Sequence, residues 1–366
     1  MARVLFVTWD GGGNVTPAVE IAKELQRRGD EVRFLGQRQQ RESIEKVGYG
    51  FSAYRHPGPW TATGKLNTIM NAVGFLRLLA GRSLGRDLIA EVRVHPADLV
   101  VIDCLLYGVL DAASRHGIRH IVFVHSLFAA VEQKMASGAP GTVARISGLN
   151  PWKLWTKADG IVAATLEELD IPTSKPLAIS YTGPVLPGGE KLPPSKPTSA
   201  TILVSLSTTY IAGQTSVLQT ILDAVADLPL RAIVTTGPAV DPKDLIPPAN
   251  VEIHRFIPHA EIIGGVSLVV GHGGHSTTML ALAHNLPLVI LPMNPAFDQP
   301  LIGRRIHEMG AGVTLPSSSS ATEIAAAIVN VLGDGAYQRK AELLGASILA
   351  TAGTHTAADR VQSLLN

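Results

Sequence analysis

Residues 186–201, LPGGEKLPPSKPTSAT, carry four prolines and no hydrophobic period. Such a stretch supplies neither the face of a helix nor the alternation of a strand, and it reads as a linker or hinge. On both sides of it, short apolar runs alternate with helical patterns, the sequence signature of βαβ units and hence of a parallel sheet. The expectation is therefore an α/β fold with two Rossmann-like βα domains facing across a cleft, where a substrate would bind. A chain of 366 residues fits that division, since domains run to roughly 150 residues. The predicted parts are a first domain over 1–187, a proline-rich linker over 188–200 and a second domain over 201–350. A C-terminal helix over 351–366 is free to pack back on the first domain.

Bulk chemistry excludes more than it selects. Charged residues make up 17% and the net charge is +1, so neither disorder nor a nucleic-acid-binding stripe is indicated. A single cysteine, Cys104, rules out an intramolecular disulfide framework and a cysteine-rich zinc site. The opening RVLFVT is too short for a signal peptide's apolar region, and no run approaches the roughly 20 apolar residues of a membrane span. These features predict a soluble, cytoplasmic protein, a monomer or homodimer.

In the first half, a strand over 4–8 leads through Asp10, Gly11, Gly12, Gly13 and Asn14 into a helix with Ala18, Ile21, Ala22 and Leu25 on one face. Thr16 is the expected N-cap, Pro17 the first helical residue and Gly29 the stop. A strand over 31–35 completes the unit. A dinucleotide fingerprint is not met, because the third glycine is missing and no acid follows the second strand. Residues 65–93 predict a basic amphipathic helical region containing Arg77, Arg82 and Arg86. It suits a membrane surface or, more commonly, a helix with one core face and one solvated face. Strands over 98–103 and 118–125 end in Asp103 and His125, at the sheet edge where open α/β proteins bind ligands.

The second half is organised around residues 271–299, GHGGHSTTMLALAHNLPLVILPMNPAFDQ. A strand ending at Val270 enters a glycine turn and then a short helix that Pro287 forbids from continuing. Free backbone N–H groups and the positive helix end suit a diphosphate there, and Ser276 and Thr277 can cap that end or donate to phosphate oxygens. A tight strand-to-helix turn without a ligand is the alternative reading. His272 and His275, with His254 and His259 nearby, also raise a zinc site, but their spacing falls in a glycine turn and no cysteine joins them.

Phe256, Ile257, Pro258 and His259, then His272, Gly274 and Thr277, then Asp298 and Gln299, follow one another in the order of a donor signature. In these pieces the chain resembles family 1 glycosyltransferases of the GT-B fold, of the actinobacterial natural-product type, over essentially its whole length. The resemblance implies that Phe256 stacks on a nucleobase and that the backbone of Ile257 reads its edge. It places His259 beside them, His272, Gly274, Ser276 and Thr277 on the diphosphate, and Asp298 and Gln299 on the sugar hydroxyls. Thr208 matches a small hydroxyl residue near the phosphates. No paired-aspartate metal motif is present, so metal-independent transfer is expected, with no cofactor beyond the nucleoside-diphosphate sugar as co-substrate.

Three departures matter. Asn14 stands where the family places its histidine base, and an amide takes no proton at neutral pH. Asp103, aligned with the aspartate that orients that histidine, or Asp10 is then the candidate base. Leu280 replaces a common ribose-binding glutamate, which weakens the case for uridine, because a deoxyribose donor such as a thymidine-diphosphate sugar needs that acid less. Two extra residues between Pro292 and Asp298 unsettle the sugar contacts. Trp60, His125, Ser126 and Phe128, on or beside first-domain loops, are candidates for binding a flat apolar acceptor; ordinary loop anchoring is the alternative.

The expected activity is inverting transfer of a sugar to an O or C nucleophile of a small lipophilic, aromatic or polyketide-like acceptor. The alternatives are a membrane-surface transferase acting on a lipid, a non-catalytic sugar-nucleotide-binding auxiliary protein, and an epimerase of sugar nucleotides.

Overall fold

The computed structural model describes residues 1–57, 60, 62, 68–172, 177–187 and 200–365. Residues 188–199 of the proline-rich stretch lie outside them. The chain divides into two compact units, Met1–Val185 with Ala352–Asn366, and Leu186–Thr351.

The first unit is built on seven strands, β1 Arg3–Val7, β2 Glu31–Gly36, β3 Gly50–Ala53, β4 Leu99–Asp103, β5 His120–Val124, β6 Gly160–Ala163 and β7 Ile179–Tyr181. Their order is β3-β2-β1-β4-β5-β6-β7 and every pairing is parallel. The second unit has six, β8 Thr201–Ser205, β9 Arg231–Thr235, β10 Val251–His254, β11 Leu268–Gly271, β12 Leu288–Ile290 and β13 Gly312–Thr314. Their order is β10-β9-β8-β11-β12-β13, again wholly parallel. Strands β4, β5, β8 and β11 are buried at every residue. This is why they read as unbroken apolar runs instead of alternating ones. The three- and four-residue strands β3, β6, β7 and β13 are too short to carry a period, and none was expected from the sequence.

Both sheets start in the middle, wind outward to one edge, and return to the other side of the first strand. The direction reverses between β1 and β4 in one unit and between β8 and β11 in the other. Crevices open at the carboxyl ends of the strands at such switch points.

Helix α1, Val15–Arg27, buries Ala18, Ile21, Ala22 and Leu25 in a core with Phe6 and Phe34. It starts earlier than the expected Thr16 cap: Asn14 holds the N-cap position without making a cap bond. The Asn14 side chain is spent on the preceding loop, accepting from Gly11 N–H and donating to the Trp9 carbonyl. Helices α2, Thr68–Ala80, and α3, Arg82–Val94, occupy the basic segment. They break at Gly81, where a Cβ would lie 2.2 Å from the Arg77 carbonyl oxygen. Leu78, Leu79, Leu84 and Leu88 are buried while Arg77, Arg82 and Arg86 are exposed. No described helix is long and apolar enough to cross a membrane.

In the second unit, α4 Gln214–Val225, α5 His275–Ala283 and α6 Gln299–Glu308 follow β8, β11 and β12. Leu218, Ile221 and Leu222 of α4 pack on Ile202 and Val204 of β8. The last helix, α7 Gly353–Ser363, belongs to the first unit, where Ala357, Ala358 and Val361 complete its core. Polar contacts fix it to α1 and the turn after it: His355 Nδ1 lies 2.9 Å from Glu24 Oε1, and Gln362 donates to Asp30 at 2.7 Å.

Candidate functional site

In the first unit, β1, β4 and β5 bring a polar group to their carboxyl ends. Asp103 closes β4 and is 4% exposed. Its Oδ1 accepts from Leu105 N–H at 3.0 Å, and its Oδ2 receives Asn14 Nδ2 at 3.4 Å and His125 Nδ1 at 3.0 Å. Burial alone would raise this carboxyl. The adjacent His125 outweighs it by charge and hydrogen bonding, helped by the Leu105 N–H and the Trp9 indole, and holds the pKa below the ordinary value. Cys104, next in the chain, is buried, and its thiol is pushed well up, first by burial and then by Asp103. Ligand atoms of Asp103, Cys104 and His125 lie within 4.8 Å of one another. With the thiol protonated, the group is a carboxylate and an imidazole in contact beside a neutral sulfur.

Asp10 sits apart from these contacts, in a pocket of about 310 Å³ with Gly12, Thr16, Gln39 and Gln40. Burial raises its carboxyl, against the Gln39 side chain and the Gly12 N–H, which favour the charged form.

In the second unit, register aligns Gly271, Ser205, Thr235 and His254 across four adjacent strand ends. Thr235 Oγ1 donates to Ser205 Oγ at 2.9 Å and lies 3.1 Å from His259 Nε2. The next turn, Gly271–Gly274, crosses the switch point. Gly273 has φ of +81°, and a Cβ on Gly274 would lie 2.6 Å from His272 Nε2, so side chains are excluded from both. Burial lowers the His272 ring to about 4; His259 adds to this, while a hydrogen bond to the Ser205 carbonyl works against it. His259 is lowered by burial as well. Both imidazoles are neutral at pH 7.

Helix α5 begins at His275, with Gly274 as N-cap and no side-chain cap bond. Ser276 and Thr277 accordingly lie in its first turn and not at the cap. The backbone N–H groups of a helix's first turn point out of its N-terminal end. Phe256, just past β10, is 73% exposed.

Comparison with known proteins agrees with this architecture. Residues 219–364 match the family model described as erythromycin biosynthesis protein CIII-like, C-terminal domain. A PGL/p-HBAD biosynthesis glycosyltransferase of Mycobacterium tuberculosis is 33% identical over 198 residues, 52% of this chain and 45% of the relative. The chain thus spans a little under half the length of such curated relatives. The 4'-demethylrebeccamycin synthase of Lentzea aerocolonigenes is 24% identical over the full length of both chains. Among solved structures, the calicheamicin glycosyltransferase CalG4 superimposes with a TM-score of 0.79 at 21% identity, covering 100% of this chain and 98% of the other. The spinosyn rhamnosyltransferase SpnG complexed with thymidine diphosphate gives 0.73 at 19% identity, covering 100% of both. The chain has the GT-B glycosyltransferase fold.

Within this GT-B chain, the structure gathers His259, His272, Gly274, Ser276 and Thr277 at one switch point, with Thr208 in the loop after β8 and Asp298 at the start of α6. Gln299 opens α6. Its Oε1 accepts from Met293 and Asn294 N–H, both at 2.8 Å, so only its NH₂ remains to meet a sugar. Two acceptor candidates are corrected. Trp60 is buried against Trp9 and Phe75 and donates to the Asp10 carbonyl. Phe128 is buried among Trp152 and Trp155. Both anchor loops. Ser126 is buried too, and His125 faces Asp103. Asn14 holds the loop rather than titrating. Sequence reasoning missed Ser205 and Thr235, whose only signal is a hydroxyl residue at the end of an apolar run.

Proposed function

We propose that this protein is an inverting, metal-independent glycosyltransferase using a nucleoside-diphosphate sugar and a small lipophilic acceptor. The observation that carries this reading is the turn Gly271–Gly274 at the β8/β11 switch point, leading into the first turn of α5. A leaving diphosphate gains negative charge as the C1–O bond breaks. Fixed backbone N–H donors and a helix N-terminus stabilise that charge without a metal ion. Neutral His272 beside the turn can take a proton as the charge develops.

In the reaction, an acceptor oxygen or carbon attacks C1 from the face opposite the diphosphate and the bonding pair leaves with the diphosphate. The acceptor's proton passes to a base. Exposed Phe256 offers a stacking surface to a nucleobase. The solved relatives VinC and SpnG, whose descriptions name DTDP and thymidine diphosphate, favour a thymidine donor over uridine. Leu280, buried and apolar where a ribose-binding acid is common, points the same way.

The test incubates the protein with dTDP-glucose or UDP-glucose and a panel of phenols, with and without EDTA. Nucleotide release should match glycoside formation, EDTA should leave it unchanged, and the product anomer should be opposite to the donor's. Absence of any thermal stabilisation by either nucleotide sugar at millimolar concentration would sink the proposal.

A lipid acceptor at a membrane surface is a second reading. Met70 and Val73 of α2 are exposed apolar residues on the same helix as Arg77. Co-sedimentation with anionic liposomes that is lost when Arg77, Arg82 and Arg86 are neutralised would favour it.

A further inference from the structure

We infer that the pocket around Asp10 is a sugar-ring subsite of the first unit, and that it takes a glycosyl group already carried by the acceptor. The inference rests on the transferase reading above and narrows the acceptor to a chemical class: a lipophilic molecule that an earlier glycosyl transfer has modified.

Two segments of the first unit form the pocket. The β1–α1 loop and the first turns of α1 bring Asp10, Val15, Thr16 and Val19, and the segment running from β2 into the short helix Arg41–Lys46 brings Gln39, Ser43 and Ile44. Buried polar bonds hold both walls. Asp10 donates its backbone N–H to Gln37 Oε1 at 2.7 Å, and its carbonyl accepts from the Trp60 indole at 2.9 Å. Gln40 Oε1 accepts from the Gln37 N–H at 2.7 Å, and its Nε2 donates to Thr8 Oγ1 at 3.3 Å. The Asp10 backbone is thus fixed by bonds in which its carboxylate takes no part.

The lining has the polar groups of a carbohydrate site. Among its described residues Asp10 is the one charged group, so no cation is there to hold a phosphate. Burial raises the Asp10 carboxyl, and its partners, the Gln39 side chain and the Gly12 N–H, are both neutral. A carboxylate accepts from two neighbouring hydroxyls at once, and a carboxamide both donates and accepts. Ser43 spends its proton on the Gln40 carbonyl at 2.9 Å and keeps its oxygen as an acceptor. Val15, Val19 and Ile44 add an apolar wall for the C–H face of a ring. At about 310 Å³ the pocket lies at the lower end of ligand sites, the scale of one ring and not of a whole lipophilic molecule. The residues of the proposed donor site all belong to the second unit, so a sugar held by Asp10 is assigned to the acceptor.

The experiment starts with saturation-transfer NMR on the full chain, using methyl β-D-glucopyranoside and methyl α-L-rhamnopyranoside. At least one should bind, and cyclohexylamine, a cation of the same ring size, should not displace it. Asp10→Asn and, from the other wall, Ser43→Phe should each abolish the signal while thermal melting stays near that of wild type. With dTDP-glucose as donor, wild type should prefer arbutin, a phenol bearing a glucosyl group, over 4-ethylphenol, chiefly through KM. Asp10→Asn should shrink that preference by about 10-fold, the scale of a hydrogen bond to a charged group. A loss shared equally by both phenols would mark Asp10 as a base and overturn the subsite, as would binding of neither methyl glycoside or displacement by cyclohexylamine. Weaker dTDP-glucose binding in Asp10→Asn, with dTDP binding unchanged, would give the pocket to the donor's sugar and overturn the acceptor assignment, as would the lack of any preference for arbutin. If wild type transfers to neither phenol, the transferase reading fails while saturation transfer still decides the pocket.

Discussion

At the scale of single residues, the proposed donor site depends on what His272 does with a proton. Its free pKa of about 4 means that the ring is neutral before a ligand arrives, with one N–H given to the Ser205 carbonyl. A diphosphate beside the ring favours the charged form, so its pKa rises on binding. Between the free and bound values, binding takes up a proton, and affinity falls as pH increases through the bound value. Calorimetry of dTDP-glucose in buffers of different ionisation enthalpy should show net proton uptake, and His272→Gln should abolish it. The histidine was visible in the sequence, but its neutrality was not. That comes from burial beside Ser205 and His259, residues 67 and 13 positions away in the chain. The same limit applied to Asn14. Its identity announced a missing base, whereas the imidazole that faces Asp103 comes from a different strand.

At the scale of elements, the strands and helices nearest the site were the most legible. Long buried strands such as β4 and β8 are apolar throughout, and α1 carries its core face at helical spacing, so their positions came within a residue or two. Short β3, β6, β7 and β13 were not read from the sequence, whereas the equally short β11, apolar up to its final Gly271, was. Side-chain duties at element ends were also hidden. Gln299 opens α6 and reads as a sugar ligand, yet its oxygen binds two backbone N–H groups of the preceding loop. Gln299→Glu keeps those acceptors, whereas Gln299→Met removes them and leaves two N–H groups needing new partners. The methionine variant should lose about 1–3 kcal/mol of stability, read by chemical denaturation, with weaker dTDP-sugar binding. The glutamate variant should stay near wild type in stability.

At the scale of the whole molecule, the proline-rich stretch led to the expectation of two βα halves, but composition could not say which unit each segment would join. The first unit is completed by α7, whose attachment is electrostatic as well as apolar. Glu24 on α1 is held down to about 2, chiefly by Arg27, with Arg28 and His355 contributing against the cost of burial. Because the folded value lies below the ordinary 4.5, the stability it confers is fully present above pH 4.5. It is lost as pH falls from there through about 2. Glu24→Gln should therefore lower the melting temperature of the first unit at pH 6 to 7, and the gap from wild type should close towards pH 2. Circular dichroism across that range would check it, and an equal gap at both ends would contradict the assignment.

The return of α7 to the first unit also bears on how the protein is made. Ala357, Ala358 and Val361 fill a core whose other walls, Phe6, Ala18 and Ile21 among them, leave the ribosome more than three hundred residues earlier. The half that begins to emerge first therefore finishes folding last, after the second unit has been synthesised in full. Throughout that interval one flank of α1 waits without its cover, open to chaperones and to wrong partners.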